Sequence, residues 1–357
     1  MKRLNLLGFV ACALLLPTSA MAVTRSVVAR RDDGEVYNVP DLVPTQAPSA
    51  TLPKGSVYLS LHFYKESVED ADSVTEYRVV EWDVAAARVV RTYRMPSDLV
   101  EMPMLARQGQ DLVVAAPLAH GSRIWVLDPS LRVKYTRSMG GMVREVVANT
   151  NRIAVRVGVS NSTVGTTLDT MDLSATTMLF DTGARTLLAT RPAGPLLESA
   201  WYARPHSLAL VADSLYQADY SNRTAAVDRL DATTLAPRGR YELGRFDLDG
   251  VNLPEHAIEV VAMADAVGIR RGHKWSEFAP DLKVERKHRL VADGIERSVA
   301  GAPGVFGVSQ TRNGQLGFDS QRCVPTWSGT HAVVACAENL NVVVYQLTTE
   351  EAAGLIY

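Results

Sequence analysis

Long apolar runs are missing from nearly all of this chain. Past residue 22 no stretch reaches the roughly 18 continuous apolar residues of a membrane-crossing helix, which excludes a spanning helix there. Neither sign of charge is in large excess: 37 Lys+Arg stand against 39 Asp+Glu, leaving no basic surplus for a polyanion and arguing against nucleic acid as a partner. Catalytic signatures are absent too. No G-x-S-x-G elbow, P-loop or dinucleotide fingerprint occurs, and the seven His show no H-x-H or H-E-x-x-H pairing. Convincing helical periodicity is scarce, and cysteine is limited to three residues.

What is present begins with MKRLNLLGFVACALLLPTSAMA. Lys2 and Arg3, an apolar run from Leu6 to Leu16 and the Ala20-Met21-Ala22 site describe a secretory signal peptide cleaved near Ala22. A lipoprotein signal with lipidation at Cys12 is the alternative, but Phe9 fits a lipobox poorly and the apolar run continues past Cys12. The reading is a periplasmic or secreted chain, and losing Lys2 and Arg3 takes the formal charge from -2 to -4. Cys323 and Cys336 then remain, thirteen apart across PTWSGTHAVV. In an oxidising compartment that pair reads as a disulfide, with a value of about 3 kcal/mol for a loop of roughly 15 residues. A metal pair is the alternative, weakened by the lack of His at ligand spacing.

The body of the chain repeats. Residues 23–55 hold turn formers and one strand candidate, EVYNV, and read as a lead-in that contributes one strand to a sheet formed elsewhere. From Ser56 a β-rich pattern begins, in which a hydrophobic strand ends in Asp, turns tightly and returns. VVEWDVAAARVVRTYRM, RIWVLDPSLRVKYTRSM, MLFDTGARTLLATRP, VDRLDATTLAPRGRYEL and SEFAPDLKVERKHRL are five instances. Taking Asp83, Asp128, Asp181, Asp231 and Ala279 as equivalents, the spacings are 45, 53, 50 and 48 residues. Such a period belongs to four-stranded propeller blades. Asp at the strand end bonds nearby backbone amides and fixes the turn, while the apolar residue before it packs inward. SVYLSLHFY, DLVVAAPL, RIAVRVGV, HSLALVAD and EVVAMADAVGI precede the hairpins, and GVFGVSQT, HAVVACAEN and LNVVVYQLT form a last unit.

On these residues the repeat resembles the blade of bacterial quinoprotein-like or WD40-like β-propellers, across roughly residues 56 to 348. The resemblance implies the fold alone: an all-β propeller of six four-stranded blades, or seven if the final stretch holds two units. The Gly-rich signatures of quinone-binding dehydrogenases and the Gly-His and Trp-Asp pairs of WD40 repeats are missing. The expected organisation is a signal peptide at 1–22, a lead-in at 23–55 and a monomeric propeller at 56–357.

Three segments carry candidate chemistry. FDLDGVNLPEH sets Asp247, Asp249, Asn252 and Glu255 about Gly250, and calcium is the ion such oxygens would take, though a full loop needs further ligands. GIRRGHKWSEF gathers Arg270, Arg271, His273 and Lys274 beside Trp275, a set suited to an anionic ligand or a protein contact. KESVEDADSVTEYR concentrates Glu66, Glu69, Asp70, Asp72 and Glu76 in one hairpin loop, read as a solvated tip or an acidic contact. Propellers also assemble axial sites from separate blades, with Glu255, His256 and His331 as candidates here. With no catalytic signature and no expected cofactor, the expectation is a binding or scaffolding module for another envelope or secreted protein. A propeller lyase or hydrolase is the competing class, and a quinone dehydrogenase a third.

Overall fold

The computed structural model describes residues 24–29, 35–44, 56–65, 74–101, 103–158, 175–193, 207–220, 224–245, 258–262, 266–271, 274–290, 323–328, 331–338 and 341–348. The leader, Cys12 and the stretch GVFGVSQT lie outside them.

The chain enters through β1 (Thr24–Ala29), whose partner comes from the far end of the sequence. A first sheet follows, of β2 (Glu35–Pro44), β3 (Ser56–Lys65), β4 (Val74–Asp83) and β5 (Arg88–Arg94). The second holds β6 (Met104–Gln108), β7 (Asp111–Leu118), β8 (Gly121–Leu127) and β9 (Val133–Met139). In the third are β10 (Met142–Ala148), β11 (Ile153–Gly158), β12 (Thr176–Phe180) and β13 (Leu187–Pro192). The fourth consists of β14 (Leu208–Val211), β15 (Ser214–Asp219), β16 (Thr224–Asp231) and β17 (Pro237–Arg245). The fifth is β18 (Ile258–Ala262), β19 (Val267–Arg271), β20 (Lys274–Phe278) and β21 (Glu285–Leu290). The sixth combines β22 (Cys323–Ser328), β23 (His331–Glu338) and β24 (Asn341–Thr348) with β1 as its outermost strand.

All six sheets are antiparallel and four-stranded, and the first strands adjoin in the order β22, β2, β6, β10, β14, β18. The segment 23–55, read as a lead-in, therefore belongs to the sheets: it supplies two strands, β1 closing the sixth and β2 opening the first.

Neighbouring sheets bury their faces against each other. Tyr58, Tyr77 and Val79 of the first sheet pack with Leu112, Val114, Trp125 and Leu127 of the second. Val113, Ile124 and Val126 meet Val143, Ile153 and Val155 across the next boundary. Tyr216, Val227, Val260, Val267 and Phe278 join the fourth and fifth sheets. Val57, Leu59 and Trp82 meet Val333, Ala335 and Val344, which brings the first and sixth sheets into contact. Each fully buried aliphatic side chain contributes about 1.5–3 kcal/mol, so these faces supply the main driving force.

The recurring Asp is explained by the turn it closes. Asp83 Oδ1 accepts the amides of Ala85 and Ala86, both at 2.9 Å, and Asp231 Oδ1 those of Thr233 and Thr234 at 2.8 Å. Asp128 Oδ1 takes Ser130 and Arg132, at 2.8 and 2.9 Å. Asp181 Oδ1 accepts from Thr186 N at 2.7 Å, and in the fifth repeat Asp281 Oδ1 accepts from Lys283 N at 3.0 Å. Every one of these turns also holds a non-glycine residue at positive φ: Ala87, Leu131, Ala184, Leu235 and Leu282.

A leucine there costs roughly 1–2 kcal/mol in backbone strain. Leu131, Leu235 and Leu282 offset that cost because each is buried in the core shared with the preceding sheet. A bulge follows in the same register of these five sheets, where the pairing skips Val90, Lys134, Leu188, Arg238 and Arg286. Asp cap, left-handed residue and bulge form one module repeated five times. The apolar residues before the Asp pack inward as expected, Trp82, Leu127, Phe180 and Leu230 all being buried.

Candidate functional site

Strand alternation sorts the connections onto two faces. First-to-second and third-to-fourth strand turns emerge at one end of the sheets. Second-to-third turns and the links between sheets emerge at the other. The first set is short, as in 84–87, 109–110, 128–132, 149–152, 181–186 and 212–213, with 45–55 the one long member. The second set contains 66–73, 95–103, 159–175, 193–207, 246–257 and 291–322. The first is the turn face and the second the loop face.

All three candidate segments belong to the loop face. The acidic run spans the link between β3 and β4, the Asp247 segment follows β17, and the Arg270 segment surrounds the β19–β20 turn. Glu66, Glu69, Asp70, Asp72, Asp247, Asp249, Asn252, Glu255, His256 and His273 lie outside the described residues. Arg270 and Trp275 are cross-strand partners on β19 and β20. The Arg271 guanidinium is occupied structurally, donating to Leu243 O at 2.7 Å and Arg245 O at 3.0 Å and so tying β19 to the outer strand of the fourth sheet. In the acidic run, Glu76 accepts from Arg78 at 2.7 and 2.9 Å, and that bond holds its carboxyl below the usual range. Among the described residues no three His, Cys, Asp or Glu side chains group as a metal site.

Sequence reasoning missed a buried polar layer between the third and fourth sheets. The half of this boundary nearer the turn face is apolar, with Ala154, Leu179, Leu210, Leu215, Leu230 and Leu235 in contact. The half nearer the loop face is polar. Glu145 accepts the amides of Ser207 at 3.0 Å and Leu208 at 2.8 Å and also the Ser207 hydroxyl. Arg156, wholly buried, donates to Ser207 Oγ and Ala218 O, both at 3.0 Å, and Thr177 donates to Gln217. Farther out, one nitrogen of Arg240 bridges Asp219 at 2.8 Å and Asp228 at 2.7 Å. Burial pushes the Asp228 carboxyl up against the opposing pull of Arg240. On the other side of β10, Arg144 Nη1 reaches both oxygens of Glu101 at 3.1 Å, so this inner strand is tied in both directions.

The layer does chemistry of position. Buried charges persist only when paired and hydrogen-bonded, and here the partners span two sheets. Ser207 ends the 193–207 link and Thr177 lies just past the 159–175 link, so the network fixes described residues that flank both links. The signal available in sequence was the presence of Arg144, Glu145, Arg156, Asp219 and Asp228 inside otherwise apolar strands.

His62, on β3, stacks on Tyr77 with ring centroids 4.7 Å apart, and burial lowers its pKa to about 4. The unfolded chain binds a proton near pH 6.5 that the folded one refuses until about 4, so this contribution is present above pH 6.5 and is lost as pH falls through that window. Allowing for partial exposure, the expected loss is about 2 kcal/mol between pH 6.5 and 4. His62→Phe, which keeps the stack, should flatten that slope in urea titrations. An unchanged slope would remove His62 from the account.

No protein-family model matches the chain, and no curated protein matches it. Among solved structures, it is similar to the β-propeller domain of Cps50 (Swd1) from Myceliophteria thermophila, with a TM-score of 0.53 and 11% identity over 91% of this chain and 100% of that one. Hsv2 of Kluyvelomyces marxianus aligns at a TM-score of 0.45 and 11% identity, over 84% of this chain and 89% of that one. BamB from Moraxella catarrhalis aligns at 0.40 and 12%, over 91% and 99%. These two looser likenesses carry no weight of their own. At such identities likeness reaches the fold and stops there. The sheet order, the adjoining first strands and the Swd1 likeness agree: the chain has the β-propeller fold.

Proposed function

We propose that this chain is exported to the periplasm, loses its leader near Ala22, and acts there as a protein-binding or scaffolding module. Its partner is another envelope or secreted protein, which docks on the loop face. The observation that carries this reading is the segregation of connections: five copies of one rigid turn module on one face, and nearly all the long links on the other. Long links on a rigid scaffold are the usual place for recognition. The buried layer of Glu145, Arg156, Thr177 and Gln217 supports it, since it fixes residues that flank two of those links.

The test shortens the loops and spares the sheets. Residues 159–174 and 194–206 are each replaced by the chain's own four-residue turn, Asn149 to Arg152, and both proteins are immobilised and offered periplasmic extract. The full chain should retain one protein above an unrelated exported control, and the shortened chain should retain at least about tenfold less. Equal retention by the two, or none by either, contradicts the reading.

A further inference from the structure

Residues directly opposite in an antiparallel pair stand about 4.5 or 5.5 Å apart at Cα, depending on the hydrogen-bonding site. Both values fall in the range of about 4.4–6.8 Å that a disulfide spans. Cys323 on β22 and Cys336 on β23 are opposed in this way. Register says more than a separation of thirteen residues, because a slip by one would send the two to opposite faces of the sheet. The hairpin they share is also the base of the sheet where the chain's ends meet: β23 carries β24, and β24 carries β1. Strand β1 starts at Thr24, two residues beyond Ala22.

We infer that Cys323 and Cys336 form a disulfide that acts as a clasp on this closing sheet, holding the hairpin against which the N-terminal strand is laid. The inference draws its oxidising setting from the proposed export and is independent of what the loop face binds. Formation is ordinary exchange. One cysteine, as the thiolate, attacks an external disulfide, and the second displaces the mixed intermediate. Two thiols lose two electrons and two protons, one S–S bond forms, and the external disulfide leaves as two thiols. β1 lies directly after the proposed cleavage site, and it completes the sixth sheet by pairing with β24. The clasp gives the waiting C-terminal strands a fixed template.

The experiment uses the full mature chain from Val23, refolded with oxidised glutathione. A non-reduced digest should yield a peptide joining Cys323 to Cys336. Protease cleavage within residues 24–29 is then timed for the oxidised protein, for the same protein in dithiothreitol, and for a Cys323→Ser, Cys336→Ser double variant. Cleavage should be roughly 100-fold faster without the link, the factor expected for a cross-linked loop of this length. Dithiothreitol should leave the double variant unchanged; if that variant fails to fold, the reduced wild-type protein supplies the comparison. Two alkylatable thiols in folded protein after oxidised glutathione would overturn the pairing, and a linked peptide with unaltered cleavage would overturn the clasp. Extract retention is read separately, so failure of the loop-face reading leaves this result intact.

Discussion

Deleting residues 24–29 is expected to cost more than about 5 kcal/mol, comparable to the whole stability of many domains. The loss is that of a sheet's outer strand, which pairs with β24 from Thr24 opposite Gln346 to Ala29 opposite Val342. Without it β24, NVVVYQLT, becomes an unpaired apolar edge, the kind of edge that recruits other chains. The sixth sheet also packs on the first through Val333, Ala335 and Val344, so weakening it uncovers Val57, Leu59 and Trp82. The truncated chain should give oligomers on size exclusion and no cooperative urea transition. A monomer with the parent's midpoint would show that β1 is not the closing strand.

The second large effect is expected at Glu145. Glu145→Ala removes the acceptor for Ser207 N, Ser207 Oγ and Leu208 N, and leaves Arg156 buried beside a gap. Breaking a buried charged network costs about 3–5 kcal/mol, because the orphaned partners stay desolvated. Glu145→Gln keeps one acceptor oxygen and should cost about 1–2 kcal/mol. Glu242, exposed on β17, is the control, and Glu242→Ala should stay within about 0.5 kcal/mol of the parent. Urea midpoints decide. If Glu145→Ala and Glu242→Ala behaved alike, the polar layer would be incidental.

How much of this was legible in the sequence depended on whether a strand's buried side chains met apolar neighbours or polar partners on another sheet. Outer hairpins were readable because their Asp, turn and return strand are local chemistry, and Trp82-Asp83 and Leu127-Asp128 follow one template. Of the inner strands, β14 and β18 were readable in HSLALVAD and EVVAMADAVGI, whereas β6 and β10 were not. MLARQ and MVREVVA look too polar for buried strands, yet Gln108 reaches Gly183 N, Arg144 pairs with Glu101 in the 95–103 link and Glu145 binds the start of β14. Polar groups satisfied across a boundary leave no trace in hydropathy. EVYNV marked the start of β2, but the run past it, with Pro40 and Pro44, reads as loop, and β1 shows as a strand only once β24 pairs with it. The spacing of Cys323 and Cys336 suits a hairpin, and the register sets the two residues opposite each other. Of the candidate site, the loop face was visible only as scattered polar links; topology is what gathers them.

One measurement tests that gathering most directly: photo-crosslinking in the cell envelope from two single positions. Ser97 is exposed in the 95–103 link of the loop face, and Thr233 is exposed in a turn of the opposite face. A crosslinker placed at Ser97 should capture one envelope or secreted protein, identified by mass spectrometry, and the same group at Thr233 should capture none. Capture from Thr233 and not from Ser97 would contradict the account and move the binding surface to the turn face.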